Sequence, residues 1–97
     1  MYIAIRRYDL DPANMAEVTR IIREGFVPIV SSTPGFRSYD WIEVSPGVGM
    51  STNVFADQAG AEASIAEAAE FVREHLAPHL PHPPQITEGE VLVHHGV

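Results

Sequence analysis

Tyr39, Trp41 and Asn53 are residues whose types and spacing could do chemistry. Two aromatic side chains two positions apart on an extended segment point the same way, so they could stack a planar phenol and hydrogen-bond its oxygens. Asn53 lies between apolar neighbours, where its amide could hold a ligand carbonyl or a developing enolate oxygen. Each has a purely structural counterpart: aromatics are ordinary strand formers, and the amide could bond across a hairpin to Tyr39 or Ser51.

His75, His79 and His82 fall close together, and histidines four apart on a helix can ligate a metal. Pro78 and Pro81 interrupt that geometry and no cysteine accompanies it. The sequence therefore reads as solvated helix-end histidines with no metal site. His75 alone is a candidate general base if its ring enters a cavity. His94 and His95 point to opposite faces of a strand and cannot serve one site. Ser64 has no nucleophile elbow around it, and no helix start follows Gly47-Val48-Gly49 to make it a phosphate loop.

The elements that must position these residues follow from periodicity. Tyr2 to Tyr8 alternates over Ile3 and Ile5, which predicts a first strand with one face in a core. Asp11-Pro12 is an N-cap with proline at the first helical position, and the spacing of Met15, Val18, Ile21, Ile22, Phe26, Ile29 and Val30 predicts a helix over 12–31. Gly25 and Pro28 inside it predict a kinked or tightened last turn. Thr33-Pro34-Gly35 turns the chain into a second strand, Phe36 to Val44, and Ser45-Pro46-Gly47 turns it back into a third, Val48 to Ala56. If Val44 faces Val48 in that hairpin, Trp41 lies opposite Ser51 and Tyr39 opposite Asn53; a slip of one residue would exchange the faces. Asp57 caps a second helix whose stripe is Ala61, Ile65, Ala68, Ala69, Val72 and Leu76. Four prolines between Pro78 and Pro84 form an extended crossing, and Ile86 to His95 alternates as a fourth strand with Val91 and Val93 on one face.

The order β-α-β-β-α-β is the ferredoxin-like α+β motif, a four-stranded antiparallel sheet with two helices on one face. A chain of 97 residues has room for one such domain, spanning 1–97. Each strand carries apolar residues on both faces, with Ile42 and Val44 on one side of the second strand and Tyr39 and Trp41 on the other. The helix-free face must therefore find a partner, and a two-fold homodimer stacking two sheets supplies it. Thirteen acidic residues against six arginines give a formal charge of -7, which repels nucleic acid and anionic membranes. No apolar run is long enough to span a bilayer and the first residues form no signal peptide, so a cytoplasmic protein is expected.

Three stretches carry a family resemblance: Thr33-Pro34-Gly35-Phe36-Arg37-Ser38-Tyr39 after the first helix, Asn53-Val54-Phe55-Ala56-Asp57 leading into an Ala/Glu-rich second helix, and Gly89-Glu90-Val91 near the last strand. Together with the length and element order they resemble the antibiotic-biosynthesis-monooxygenase-like proteins. The resemblance implies a dimeric α/β barrel with a ligand cavity between helices and sheet in each protomer. It also implies cofactor-free oxygenation of a small planar aromatic or quinol, with no metal or organic cofactor. On that reading Tyr39, Trp41, Phe55 and Phe71 contact the substrate, Asn53 holds its oxygen and His75 is the base. The haem-degrading branch is a poorer match, since the first strand has no asparagine and Ser64 stands where an aromatic is needed. The other reading is a non-catalytic dimeric module that binds a ligand or partner. A pocket filled by Trp41, Phe55 and Phe71 would favour assembly, and an open one lined by Asn53 would favour a ligand.

Overall fold

The computed structural model describes residues 1–96, so Val97 of the expected 1–97 domain lies outside the described residues. Strands β1 (Tyr2–Asp9), β2 (Phe36–Ser45), β3 (Val48–Phe55) and β4 (Gln85–Glu90) form one antiparallel sheet in the order β2-β3-β1-β4. Helices α1 (Met15–Ile21) and α2 (Val27–Val30) lie between β1 and β2, and α3 (Gln58–Phe71) lies between β3 and β4. This is the ferredoxin-like α+β architecture that the element order predicts.

Local chemistry accounts for the starts and turns. The Asp11 carboxylate accepts from the Ala13 amide at 2.9 Å, and that of Asp57 from the Gly60 amide at 2.9 Å, so both expected caps form. Gly35 and Gly47 turn the chain at φ of 84° and 80°, where a side chain would strain the backbone. At Gly47 a Cβ would also lie 2.6 Å from the Leu10 carbonyl oxygen.

Both helices respond to proline by widening rather than tightening. A π turn, Ile22–Phe26, joins α1 to α2, and a second, Val72–Leu76, extends α3 into a 3-10 turn at Ala77–His79. In each case the residue before proline, Val27 or Ala77, donates to the carbonyl five residues back. Pro28 and Pro78 cannot donate and their rings crowd the carbonyl four residues back; past Pro28 the wider turn lets the helix run on to Val30, whereas past Pro78 the chain closes in the 3-10 turn and is extended at Leu80.

The faces of three elements differ from the expectation. In β1 the buried residues are Ala4, Arg6 and Tyr8, while Ile3 and Ile5 lie on the helix-free side and stay partly exposed. Along α3 the buried set is Gly60, Ala61, Ser64, Ala68 and Phe71, so Ile65 and Ala69 turn away from the core. Ser64 tolerates burial because its hydroxyl donates to the Ala61 carbonyl at 2.7 Å. Strand β4 ends at Glu90 instead of running to His95, because its neighbour β1 begins at Tyr2 opposite Glu90. One further bond, from the Val91 amide to the Met1 carbonyl, closes the ladder at 2.8 Å; Leu92 and Val93 beyond it are exposed. The core gathers Val18, Ile22, Phe26 and Val30 from the first helical run with Phe55, Ala68, Phe71 and Leu76. Full burial of a side chain such as Phe55 or Leu76 stabilises the fold by about 1.5–3 kcal/mol each.

Candidate functional site

The sheet face beneath the helices is laid out in cross-strand rows. Trp41 pairs with Ser51, Ser51 with Arg6, and Arg6 with Ile86, making one row across all four strands. Tyr39, Asn53, Ala4 and Glu88 form the next row. The expected opposition of Trp41 to Ser51 and of Tyr39 to Asn53 is thus present, although a bulge beside Val44 sets Ser45 opposite Val48.

At the β2 end of these rows aromatic packing consumes the space. Trp41 meets Tyr8 edge-on at 5.2 Å between ring centroids, and its indole donates to the Thr19 hydroxyl of α1 at 3.0 Å. Gly49 makes room for it, since a Cβ there would lie 2.3 Å from the indole. Tyr39 meets Phe26 at 5.7 Å, and Phe55 and Phe71 are buried core residues. These four rings, expected to line a ligand pocket, are taken up in packing: Trp41 and Tyr39 join sheet to helix, Phe55 meets Phe36, and Phe71 meets Phe26. His75 is half exposed, 3.7 Å from Glu74, with its ring 4.7 Å from Phe71.

The centre of the face is buried and polar. Arg6 is 2% exposed, and Ser51, Asn53 and Ser64 are fully buried. Arg6 donates through Nη2 to the Ser64 carbonyl at 3.1 Å, and among the described residues no carboxylate comes within ion-pair distance of it. Both amide atoms of Asn53 have no hydrogen-bond partner among the described residues. Buried groups left unpaired in this way cost about 1–3 kcal/mol each, so their retention needs a reason other than stability.

At the β4 end a cavity of about 410 Å³ opens between sheet and helix. Arg6 and Ile86 face it from the sheet, Ala68, Ala69, Val72 and Arg73 from α3 and its π turn, and the segment from Leu80 to Pro84 closes one side. The volume falls within the range of about 300–1,000 Å³ usual for small-molecule sites. None of Tyr39, Trp41, Asn53, Phe55, Phe71 and His75 lines it. Arg6 is not among the residues that sequence reasoning singles out. The available signal is its place in strand alternation, two residues from Ala4 and from Tyr8. Among the described residues no three His, Asp or Glu side chains group closely enough to hold a metal ion.

Burial governs the titration of these groups. It lowers the Arg6 guanidinium below its ordinary value, against the opposing influence of Tyr8 and Tyr39. It pushes the Tyr8 and Tyr39 hydroxyls well above the ordinary phenol value; Tyr8 adds to the rise at Tyr39, and Arg6 counters it at both. A raised phenol means that the folded chain holds a proton the unfolded chain releases. The associated stability is complete below about pH 10 and is lost as pH climbs beyond it. The urea midpoint is expected to fall between about pH 9 and pH 11, with a shallower fall in Tyr39→Phe. An equally steep fall in the Tyr8→Phe, Tyr39→Phe double variant would exclude these two groups as its source.

No family model matches this sequence, and no curated protein is significantly similar to it. Solved structures match over nearly the whole chain. A protein of unknown function from Nitrosomonas europaea, NE2512, is 21% identical over 99% of this chain and 93% of its own, with a TM-score of 0.84. An antibiotic biosynthesis monooxygenase matches with a TM-score of 0.75 at 18% identity, covering 96% of this chain and all of its own. The chain has the antibiotic-biosynthesis-monooxygenase fold. A third structure with this fold is the monooxygenase from the gene ActVA-Orf6 of Streptomyces coelicolor, in complex with nanaomycin D. It is 20% identical over 96% of this chain and 92% of its own, with a TM-score of 0.74. At these identities the likeness is one of fold. Within that monooxygenase fold, no helix among the described residues of this chain is long and apolar enough to cross a membrane.

Proposed function

We propose that this protein binds a small, planar, largely apolar molecule in the helix-sheet cavity of each protomer of a homodimer and oxygenates it without metal or organic cofactor. The observation that carries the reading is the cavity itself, about 410 Å³ with apolar walls and the buried, carboxylate-free Arg6 at its sheet side. A phenol or quinol held there would lose a proton, and the electron-rich ring carbon would add dioxygen to give a hydroperoxide. Loss of water from that adduct leaves a quinone, so dioxygen is the only oxidant required. Arg6 would stabilise the oxyanion in a site with little water, where a fixed charge acts strongly. Asn53, expected to meet a ligand oxygen, is fully buried and does not line the cavity, so in this reading Arg6 takes that role. The proton acceptor moves from the half-exposed His75 to His82, whose imidazole lines the cavity.

The test is oxygen uptake with a panel of hydroxyquinones and anthrones, followed with product absorbance. Saturable uptake in the wild type is expected. Replacing Arg6 with methionine should then abolish turnover, whereas replacing Asn53 with leucine should keep turnover and raise stability by about 1–3 kcal/mol, because an unpaired buried amide is exchanged for an apolar group of similar shape. Binding without oxygen uptake across the panel would favour the non-catalytic module instead. That second reading draws support from Tyr39, Trp41, Phe55 and Phe71, whose rings are all taken up in packing.

A further inference from the structure

Taking the cavity as the ligand site, we infer that its ligand is an organic anion, a planar apolar body bearing a carboxylate that the Arg6 guanidinium receives. Three features carry this. Arg6 is buried and spends one hydrogen bond on the Ser64 carbonyl, leaving most of its fork of five N–H donors without a protein acceptor. That fork matches the two oxygens of a carboxylate, the commonest bidentate partner of arginine. The second feature is the cavity's composition. The chain has thirteen acidic residues and six arginines, yet no Asp or Glu lines this cavity and two of the six arginines, Arg6 and Arg73, do. Among the described residues His82 is the only other ionisable side chain that lines it, so no lining side chain can carry a negative charge.

The third feature is energetic. A cation taken out of water and left unpaired is strongly destabilising, and a methionine or leucine at position 6 would fill the same space at no such cost. In a protein of net charge -7 the long-range field repels an anion, so local cations are what such a ligand requires. A ketone, or a phenol until it loses its proton, would leave the charge of Arg6 uncompensated. A carboxylate pairs it, and the surrounding alanines, Val72, Leu80 and Ile86 accept the apolar body.

The probes are 2-naphthoate, 2-naphthamide and 2-naphthol, titrated calorimetrically at neutral pH into the full chain. Naphthoate is expected to bind at least tenfold more tightly than either neutral analogue, and Arg6→Met to erase that preference. Arg73→Gln, on the exposed side of the cavity, is expected to weaken naphthoate about threefold and leave naphthamide unchanged; it serves as the reporter should Arg6→Met fail to fold. Equal binding of all three probes to the wild type, or a preference that survives in both variants, would overturn the anion assignment and leave the cavity reading standing. No binding of any probe would overturn the cavity reading and this inference with it.

Discussion

Replacing Phe71 with alanine is expected to lower stability by about 3–5 kcal/mol, read as the shift of the urea midpoint at unchanged slope. The ring is 6% exposed and lies 5.3 Å from that of Phe26 and 4.7 Å from that of His75. It therefore bridges the two π turns, since Phe26 belongs to one and His75 to the other. Gly25 completes the contact, because a Cβ there would lie 2.8 Å from the Phe71 ring. Gly25→Ala alone overpacks the same place and should cost about 1–3 kcal/mol, offset in part by better helix propensity. The two changes are expected to be strongly non-additive. In the double variant the new methyl enters the space the ring has left, so the loss should be smaller than for Phe71→Ala alone. Simple addition of the two losses would mean that the helices are not held together through this contact. Against a total stability of about 5–15 kcal/mol for a domain of this kind, the single Phe71 change removes a large fraction.

The second large effect is expected on the opposite side of the sheet. Ile3, Ile5, Met50 and Val54 on the central strands β1 and β3 continue into Ile42 and Val44 on β2, the last two 48% and 52% exposed in the single chain. In the proposed homodimer this face is covered by the same face of a second copy. Ile5→Glu would place an unpaired carboxylate in that seam, at a cost of several kcal/mol per copy, and is expected to convert the dimer to monomer. Mass by light scattering reads the outcome directly, and the Tm should fall and lose the concentration dependence that the dimer shows. An Ile5→Glu protein that keeps the wild-type dimeric mass would place the interface elsewhere, and a monomeric wild type would exclude the dimer altogether. Because Ile5 faces away from the cavity, naphthoate affinity per chain serves as a control on local folding.

Much of the fold is legible because its determinants are local. Asp11 and Asp57 cap helices through amides two or three residues on. Gly35 and Gly47 take up positive φ where turn composition calls for it. The hairpin itself follows from its turn residues, while the pairing of Trp41 with Ser51 and of Tyr39 with Asn53 also rests on the bulge beside Val44. The proline-induced π turns are half legible: Pro28 and Pro78 announce a disturbed helix, while its direction depends on whether packing holds the chain in a helix beyond them.

The candidate site is the least legible part. Aromatic and amide residues attract attention as chemistry-bearing types, and here the aromatics are spent on packing while Asn53 is sealed behind the cavity. Arg6 and the cavity depend on a bond across 58 positions of sequence, from its guanidinium to the Ser64 carbonyl. No local pattern encodes it.

The sequence by itself determined the kinds of element, their order, their capped starts and their antiparallel connections, since each rests on interactions within a few residues. Only the tertiary structure decided which face of β1 and α3 is buried. Hydrophobic periodicity selects an apolar stripe, but whether that stripe meets a helix or a second subunit depends on what surrounds the sheet. Ile3 and Ile5 are apolar for the helix-free face, and Ala4 and Ser64 are small because α3 approaches the sheet closely there. The same close approach ends where α3 opens into its π turn, and that widening, set by Pro78, leaves room for the cavity beside Arg6.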